Sequence, residues 1–510
     1  MGTPSTKIKR VLIANRGEIA VRIIRSLREL GIESVAVFSD ADADCQHRYM
    51  ADFAVRLPGI TSAETYLQIP RLVEAIGSSG ADAVHPGYGF LSESSEFARA
   101  VGKAGAIFIG PPPDAMDRMG NKIHARNLMI EHGVPVVPGA AAPLKDAAEL
   151  KKLAHEIGYP LILKAAGGGG GRGMRVVRQD SDLEPALSAC QREAQAYFGN
   201  PEVFCERFIE RPRHIEFQVL FDAHGNGVHL FERDCSVQRR HQKLFEEAPS
   251  SYLSPKQRDE IGAKAVAAAK AAGYVSAGTI EFICESPDHA YFMEMNTRIQ
   301  VEHPVTEMIT GLDLIAWQLR IAQGEQLPFK QSDLKPNGWA MEARINAEDP
   351  ALDFAPTAAT VQSMTLPGGP FVRVDTHLYP GYKIPDTYDS MVAKVIVWAK
   401  TRPEALVRME RALSELRLEG VQTTTPFHEA LLALPAFRDG DFTTKLIEEQ
   451  AEYWKKALHE AGGNNDDPTL AAVLGVVAAN HQPTAPIVDG AATGVRPSLW
   501  YEMARREGLE

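Results

Sequence analysis

Residues 159–177 read YPLILKAAGGGGGRGMRVV. Five consecutive glycines lose much backbone entropy on ordering, so such a run is kept where something approaches the backbone closely or where the loop must move. Apolar, strand-like residues flank the run, and Lys164 precedes the glycines, whereas the lysine of a Walker motif follows them. The pattern predicts a strand–loop–strand flap that covers nucleotide phosphates, with Lys164 reaching them from the first strand. A flexible linker is the alternative, although linkers of this composition usually carry serine.

The composition of the chain limits the classes of function. The 510 residues carry a formal net charge of -12, which argues against a general nucleic-acid or membrane-surface role. Five scattered cysteines fit a reducing compartment and argue against a disulfide framework or a cysteine zinc site. The N-terminus lacks a signal-peptide core and no apolar run reaches membrane-spanning length. We therefore expect a cytoplasmic protein of several domains.

The first part of the chain predicts a βαβ unit. Residues 9–13 and 34–38 suit buried strands, and residues 18–30 suit the helix between them. The turn Asn15-Arg16-Gly17-Glu18 lacks the G-x-G-x-x-G spacing, which argues against a dinucleotide site. The loop 85–90, rich in glycine and aromatic residues, follows a strand, where open α/β sheets bind ligands. A structural turn is the alternative for that loop.

Polar side chains after the flap suit a small anionic ligand. Residues 203–209 predict a strand and a crossing segment that suits an adenine. His214, Glu216 and Gln218 share one face of the next strand, although a merely solvated face is the alternative for the last two. Residues 233–243 concentrate basic and amide side chains without interleaved aromatic residues, which favours a small-anion cleft over a nucleic-acid surface.

Two strands, residues 279–283 and 291–296, predict an antiparallel hairpin. Glu281 and Glu294 would lie side by side in it, among large apolar neighbours. Two carboxylates in such a setting repel each other and are poorly solvated unless a cation lies between them. We predict a site for a hard divalent cation that carries nucleotide phosphates, formed by Glu281, Glu294 and the amide of Asn296. A pair of exposed strand glutamates is the alternative.

The loop after the hairpin, residues 297–306, carries Arg298 and Glu302 beside the predicted metal site. A cation and a carboxylate in this position offer an anion clamp together with a base. A further domain begins with the strand 339–346, in which Arg344 alternates with apolar residues. More strands and an amphipathic helix follow, and the pattern weakens after about residue 447.

These motifs occur together in one known family. The chain resembles the biotin carboxylase component of biotin-dependent carboxylases, within the ATP-grasp superfamily. The resemblance covers about residues 7–447 and rests on six stretches in the family's order: 13–20, 85–93, 164–175, 233–247, 294–304 and 344–349. It implies a fold of α/β and α+β class, an ATP-grasp fold with an N-terminal Rossmann-like domain, a small glycine-flap lid and a C-terminal mixed α/β domain.

The resemblance also implies a domain division. The expected segments are a Rossmann-like domain at 1–120, a hinge at 121–136, a lid at 137–205, an ATP-grasp core at 206–335, a C-terminal domain at 336–447 and an extension at 448–510. The extension exceeds the shortest family members. It resembles the start of the region that follows this domain in longer acyl-CoA carboxylase subunits.

The implied activity is ATP- and bicarbonate-dependent carboxylation of carrier-bound biotin through carboxyphosphate. It would be the first half-reaction of an acyl-CoA carboxylase, such as an acetyl- or propionyl-CoA carboxylase of fatty acid biosynthesis. The implied partners are a biotin carboxyl carrier protein, a carboxyltransferase and a second copy of the chain, without nucleic acid or membrane. The chain contains no Ala-Met-Lys-Met attachment signal, so we expect biotin to arrive on a separate protein.

Residue roles follow from the resemblance by position. ATP is expected at Lys122, Lys164, Gly168, Gly169, Gly170, Glu206, Ile209, His214, Gln238 and His241. Bicarbonate is expected at Lys243, Arg298, Gln300 and Val301. Glu302 is the expected base, Arg344 is expected to stabilise the biotin enolate, and magnesium or manganese is expected at Glu281, Glu294 and Asn296.

Two other functions share part of this pattern. Another ATP-grasp ligase, of the carbamoyl-phosphate or carboxylate–amine type, would share the flap and the metal pair, but the loop 298–303 and Arg344 argue against it. A non-catalytic nucleotide-binding scaffold should have lost charged residues of the cleft, and this chain keeps them.

Overall fold

The computed structural model of the chain describes residues 7–140, 142–166 and 174–462. The chain begins with alternating strands and helices: β1 (Arg10–Ile13), α1 (Gly17–Glu29), β2 (Glu33–Phe38), α2 (Gln46–Met50), β3 (Phe53–Arg56), α3 (Ile69–Ser79), β4 (Ala83–His85), α4 (Ser95–Lys103), β5 (Ile107–Phe108) and α5 (Pro113–Gly120). The strands form a parallel sheet in the order β3-β2-β1-β4-β5. The strand order reverses direction between β1 and β4, so the turn 14–17 and the loop 86–90 meet at one edge, where such sheets bind ligands.

A small antiparallel sheet carries the flanks of the glycine run. Its region comprises α6 (Lys122–Glu131), α7 (Ala147–Ile157), β6 (Leu161–Ala165), β7 (Met174–Val177), α8 (Leu183–Phe198) and β8 (Val203–Arg207). The strand order is β7-β6-β8, and Lys164 on β6 lies opposite Met174 on β7. The prediction of two strands flanking the run is therefore confirmed. The run itself, with Gly168, Gly169 and Gly170, lies outside the described residues.

The largest sheet spans the second half of the chain. Its elements begin with β9 (Arg213–Phe221), β10 (Gly227–Arg239), β11 (Gln242–Ala248), α9 (Pro255–Ala271), β12 (Ser276–Ser286), β13 (His289–Asn296), α10 (His303–Thr310), α11 (Leu314–Ala322) and β14 (Trp339–Asn346). They continue with β15 (Glu348–Asp349), β16 (Ala355–Pro356), β17 (Ser363–Thr365), β18 (Val372–Thr376), β19 (Met391–Ala399), α12 (Arg402–Glu415), β20 (Arg417–Glu419), α13 (Thr425–Ala433), α14 (Pro435–Arg438), α15 (Leu446–Glu449) and α16 (Ala451–Gly462).

Eight of these strands form one continuous sheet. Their order is β13-β12-β9-β10-β11-β14-β19-β18. Strands on both sides of the expected boundary at residue 336 therefore share one sheet. The hairpin β12–β13 pairs Glu281 directly with Glu294, which confirms the predicted side-by-side placement.

At β9, one face of this sheet is apolar and the other carries polar side chains. Ile215, Phe217 and Val219 on β9 pack with the small residues of α9 in an apolar core, because side chains alternate along a strand. Glu216 and Gln218 occupy the opposite face, where both are fully buried. The alternative of a solvated face is wrong for these two residues, because both are buried and accept hydrogen bonds from the buried Arg233.

Within the described part of the chain, every helix is too short or too polar to span a bilayer. Residues up to Lys455 form one compact unit, and the few described residues beyond it fall in a second.

Candidate active site

A single cleft of about 1020 Å³ gathers the predicted site. Its lining includes all sixteen predicted site residues that the structure describes: Lys122, Lys164, Glu206, Ile209, His214, Gln238, His241, Lys243, Glu281, Glu294, Asn296, Arg298, Gln300, Val301, Glu302 and Arg344. The cleft is large enough for a nucleotide and a second substrate. The structure shows that these residues lie in one cleft, and the role of each residue stays a prediction.

Glu302 immediately precedes α10 and is only 2% exposed. Lys243 Nζ donates to its Oε1 at 2.6 Å, and Arg344 Nη2 donates to its Oε2 at 2.8 Å. Burial alone would raise the pKa of Glu302, but Lys243, Arg344 and the nearby Arg233 overcome it and hold the pKa well below its usual range. A buried carboxylate that is ionised at neutral pH can accept a proton from a ligand in the cleft.

Lys243 bonds three carboxylates at once. Its ammonium group donates to Glu216, to Glu281 at 3.0 Å and to Glu302. Burial would lower the pKa of Lys243, but these three neighbours raise it well above its usual range. An ammonium group has three N–H donors, so an anion that enters here must share them with these carboxylates.

Arg233 has no exposed surface and donates to Gln300, which lines the cleft. Its five N–H groups donate to five separate acceptors: Glu216, Gln218, Thr306, Thr279 and Gln300. Because Oε1 of Gln300 accepts from Arg233 at 2.7 Å, its amide nitrogen is directed to Glu281, 3.0 Å away. The guanidinium thus ties β9 and β12 to the segment that carries the candidate base.

The predicted metal pair differs between its two members. Glu281 accepts hydrogen bonds from Lys243, Asn296 and Gln300, and its Oε2 lies 3.0 Å from His214 Nε2. Glu294 is about one-third exposed, with Lys122 Nζ 3.3 Å from its Oε2.

These oxygen donors fit magnesium. Two carboxylates directly opposite each other on neighbouring strands, with an amide nearby, form the kind of hard donor set that this ion prefers. A second grouping, of His214, Glu216 and Glu281, brings ligand atoms within 4.8 Å of one another. Its Glu216 already accepts from Arg233 and Lys243. We therefore favour the pair that includes the partly exposed Glu294.

At the end of the cleft that is expected to bind the nucleotide, cationic side chains form ion pairs with a carboxylate. Lys164 Nζ donates to Glu206 at 2.6 Å, and Arg126 donates to the second oxygen of Glu206 at 3.0 Å. Gln238 lies 3.3 Å from the His214 ring, and the buried Ile209 adds apolar surface. This end combines cations for phosphates with apolar surface for a base.

Arg298 reaches the cleft from the segment after β13. Glu93, from the loop region that precedes α4, accepts from Arg298 Nε at 3.0 Å and from the Thr297 amide at 3.1 Å. The guanidinium also donates to Asn296 at 3.1 Å. The first sheet thereby helps to hold a cation of the cleft in place.

Comparison with known proteins identifies the family to which the chain belongs. Three family models match the chain: "Biotin carboxylase, N-terminal domain" over residues 7–116, "Carbamoyl-phosphate synthase L chain, ATP binding domain" over 121–330, and "Biotin carboxylase C-terminal domain" over 342–449. Biotin carboxylase 1 of Bacillus subtilis is 52% identical over 442 residues, which is 86% of this chain and 98% of that protein. The chain belongs to the biotin carboxylase family.

Biotin carboxylases of several carboxylase systems are similar to it. The 2-oxoglutarate carboxylase small subunit of Hydrogenobacter thermophilus is 47% identical over 473 residues, 93% of this chain and 99% of that protein. A crystal structure of its biotin carboxylase domain dimer, with MgADP, ADP and bicarbonate, has a TM-score of 0.85 and 48% identity, and the match covers 88% of this chain and 99% of that one. The expected family, fold class and enzyme class are confirmed.

The middle match bears on the alternative ligase. It names a carbamoyl-phosphate synthase domain, which fits the expectation that such ligases share the nucleotide-binding part. The two flanking family models are those of biotin carboxylase, and they favour this family over the alternative ATP-grasp ligase.

Sequence reasoning placed Glu216 on a polar strand face and Arg233 in a basic segment without giving either a specific role, and it missed Arg126 and Glu246. In this biotin carboxylase Glu216 accepts from Arg233 and Lys243, Arg126 donates to Glu206, and Glu246 accepts from Arg344 Nε at 2.6 Å. A signal was present, because charged residues spaced two apart within apolar strands need buried partners.

Proposed function

We propose that this chain carboxylates the biotin of a biotin carboxyl carrier protein, with ATP and bicarbonate as co-substrates and carboxyphosphate as intermediate. The observation that carries the proposal is the buried Glu302 carboxyl, which accepts hydrogen bonds from both Lys243 and Arg344 in the same cleft as the cations expected to bind the nucleotide. Family membership supports it. So does the H. thermophilus structure, which contains MgADP and bicarbonate.

The first step activates bicarbonate, which is a poor nucleophile until it loses its proton. Lys243, Arg298 and the Gln300–Val301 segment would hold the anion, and Glu302 would take its proton. A bicarbonate oxygen then bonds to the γ-phosphorus of ATP while the bond to the β-phosphate oxygen breaks. The products are ADP, carboxyphosphate and a protonated Glu302.

The contacts of Glu302 also explain how a strongly acidic carboxyl can act as a base. Its pKa is low because Lys243 and Arg344 both donate to it. An anion that accepts hydrogen bonds from Lys243 draws part of that positive charge away, so the pKa of Glu302 rises on substrate binding. The base gains strength when its substrate is in place.

The opposite end of the cleft would bind the nucleotide. Lys122, Lys164 and His214 would contact ATP together with Glu206, Ile209, Gln238 and His241, and the glycines at 168–170 would cover the phosphates. Glu281, Glu294 and Asn296 would hold magnesium, which neutralises phosphate charge when bound. Exclusion of water protects carboxyphosphate from hydrolysis.

The second step transfers carbon dioxide, released from carboxyphosphate, to the ureido nitrogen of biotin. The bond between the carboxyl carbon and the phosphate oxygen of carboxyphosphate breaks, which releases carbon dioxide and phosphate. The phosphate would accept the ureido N–H proton, which leaves negative charge on the ureido oxygen, and the nitrogen would then bond to the carbon of carbon dioxide. Arg344 lies beside Glu302 and would stabilise this enolate.

The test is ATP hydrolysis by the purified chain with bicarbonate and free biotin varied independently. We expect hydrolysis that requires bicarbonate and that free biotin accelerates. Hydrolysis without any response to biotin would remove the proposal and favour another ATP-grasp ligase.

The final acceptor is proposed on narrower ground. We propose that the chain serves an acyl-CoA carboxylase, because residues 448–510 resemble the start of the region that follows this domain in longer acyl-CoA carboxylase subunits. We also propose that it works in the cytoplasm as a homodimer with a carrier protein and a carboxyltransferase; the H. thermophilus structure, a domain dimer, supports the homodimer. Relatives that serve pyruvate and 2-oxoglutarate carboxylases are 49% and 47% identical, so the competing acceptors are keto acids. Co-purified subunits offered acetyl-CoA, propionyl-CoA, pyruvate and 2-oxoglutarate would separate them; carboxylation of a keto acid alone would contradict the acyl-CoA assignment.

A further inference from the structure

We infer that Lys394 and Glu18 position the loop that carries Glu302, and so set the binding of bicarbonate; this rests on the proposed role of Glu302. Lys394 lies on β19 and has no exposed surface. Its Nζ donates to the backbone carbonyl of Val301 at 2.7 Å. That carbonyl belongs to the peptide that joins Val301 to Glu302.

Lys394 acts beside Arg344. The two residues are directly opposite in the pairing of β14 with β19. Arg344 contacts the side chain of Glu302, while Lys394 contacts the backbone just before it. Neighbouring cations thus fix both the carboxylate and the peptide that carries it.

Glu18 supplies the counter-charge of Lys394. Its Oε1 lies 3.4 Å from Lys394 Nζ, and the hydroxyl of Tyr88 donates to the same oxygen. Asp375 is also near, at 3.9 Å, but two hydrogen bonds from Arg373 engage it. Glu342 is a further acidic neighbour of Lys394, but burial raises the pKa of Glu342 well above its usual range. A buried ammonium is costly without a partner, so Glu18 keeps Lys394 charged and in place.

This arrangement assigns a role to two sequence motifs, the turn 15–18 and the loop 85–90, for which no role was proposed above. Glu18 belongs to the turn 15–18, and Tyr88 belongs to the loop 85–90. Both line the same cleft as Glu302, at the edge of the first sheet. The N-terminal sheet therefore helps, through Glu18 and Lys394, to hold the segment that carries the base.

The test compares Lys394→Met, Glu18→Gln, the double variant and Arg402→Met. Arg402 pairs with Glu247 at 2.8 Å and does not line the cleft, so Arg402→Met controls for the loss of a buried cation. We expect Lys394→Met to raise KM for bicarbonate about 10-fold or more, the effect of one lost charge-assisted hydrogen bond. KM for ATP should change less than about 2-fold, and the control should change neither constant.

The double variant separates positioning from folding. It removes one charge of each sign, so we expect its thermal midpoint to recover part of the loss in Lys394→Met while KM for bicarbonate stays high. Glu18→Gln keeps the lysine and should raise KM for bicarbonate by a smaller factor, which keeps the inference testable where both Lys394 variants unfold.

Three results would overturn the inference: an unchanged KM for bicarbonate in a folded Lys394→Met variant, equal rises in KM for bicarbonate and ATP, or an unchanged KM in Glu18→Gln where the Lys394 variants unfold. Failure of the proposed role of Glu302 has a different signature, which is bicarbonate-dependent turnover that survives Glu302→Gln, and failure of the proposed function is ATP hydrolysis that does not respond to biotin.

Discussion

The two ends of the cleft hold their charges in different ways. At the nucleotide end, Lys122 and Glu294 form a pair whose side chains are 26% and 36% exposed. At the base end, Lys243 contacts three carboxylates, and Arg233 has no exposed surface. Exposed pairs are weak and exchange partners readily, whereas a buried network is strongly destabilised when one member is removed. The Lys122–Glu294 pair is therefore suited to open for phosphates, whereas the network around Lys243 and Arg233 is formed before substrate arrives.

The largest expected effect is on the base itself. Glu302→Gln keeps the shape but cannot accept a proton, so bicarbonate-dependent turnover should fall by about 100- to 10,000-fold. Nucleotide affinity, measured by titration, should stay within about 2-fold because the other end of the cleft is intact. Undiminished turnover would remove the assignment of Glu302 as base.

The contrast in stability can be tested with two matched cation-to-methionine changes. Arg233→Met leaves Glu216 and its neighbours short of donors in a buried site, and should lower the free energy of unfolding by about 3–5 kcal/mol. Lys122→Met removes a partly exposed pair and should cost less than about 1 kcal/mol. Urea unfolding measures the free energy of unfolding of both variants. Equal losses in the two variants would contradict the proposed difference between the two ends of the cleft.

The base end should also show a pH signature through Glu246. Burial, together with the nearby Glu302, raises the pKa of Glu246 to about 7 despite its contact with Arg344. The folded state then binds a proton between about pH 4.5 and 7 that the unfolded state has lost, so this group makes stability fall as pH rises through that range.

Glu246→Gln removes that proton uptake. Relative to the unmodified chain, the variant should gain stability by a few kcal/mol from pH 5 to 7 and stay level above pH 7. Glu285→Gln, on an exposed pair with Arg207, is the control and should show no such trend. A pH-independent difference for Glu246→Gln would contradict the assignment.

The smallest expected effect lies at the metal pair. Glu294→Gln should raise the magnesium concentration for half-maximal activity by roughly 10-fold, because one of two carboxylate ligands is lost. Unfolding should hardly change, since Glu294 is partly exposed. Glu285→Gln, elsewhere on the hairpin, should leave the magnesium response unaltered; an equal response in both variants would argue against the site.

The sequence was most informative where local rules apply. The predicted antiparallel hairpin placed Glu281 beside Glu294, and the structure has this register. Period-two alternation is the local rule for the earlier strand β9, and it placed His214, Glu216 and Gln218 on one face. Alternation shows which side chains share a face, but it does not show what covers that face.

The features of the site that the sequence did not predict depend on contacts between segments that are far apart in the chain. Glu216 and Gln218 are buried because Arg233 joins them to residues of the segment 300–306. Lys394 reaches a carbonyl 93 positions away along the chain. Neither contact leaves a periodic signal, so propensity and spacing did not predict them.

The central claim is that Glu302 activates bicarbonate to attack ATP. The most direct measurement supplies freshly dissolved ¹⁸O-bicarbonate with ATP and follows the label by mass spectrometry of the released phosphate. We expect one bicarbonate oxygen in each phosphate, and its loss together with turnover in Glu302→Gln. Unlabelled phosphate from the unmodified chain would show that water, not bicarbonate, attacks ATP, and would contradict the claim.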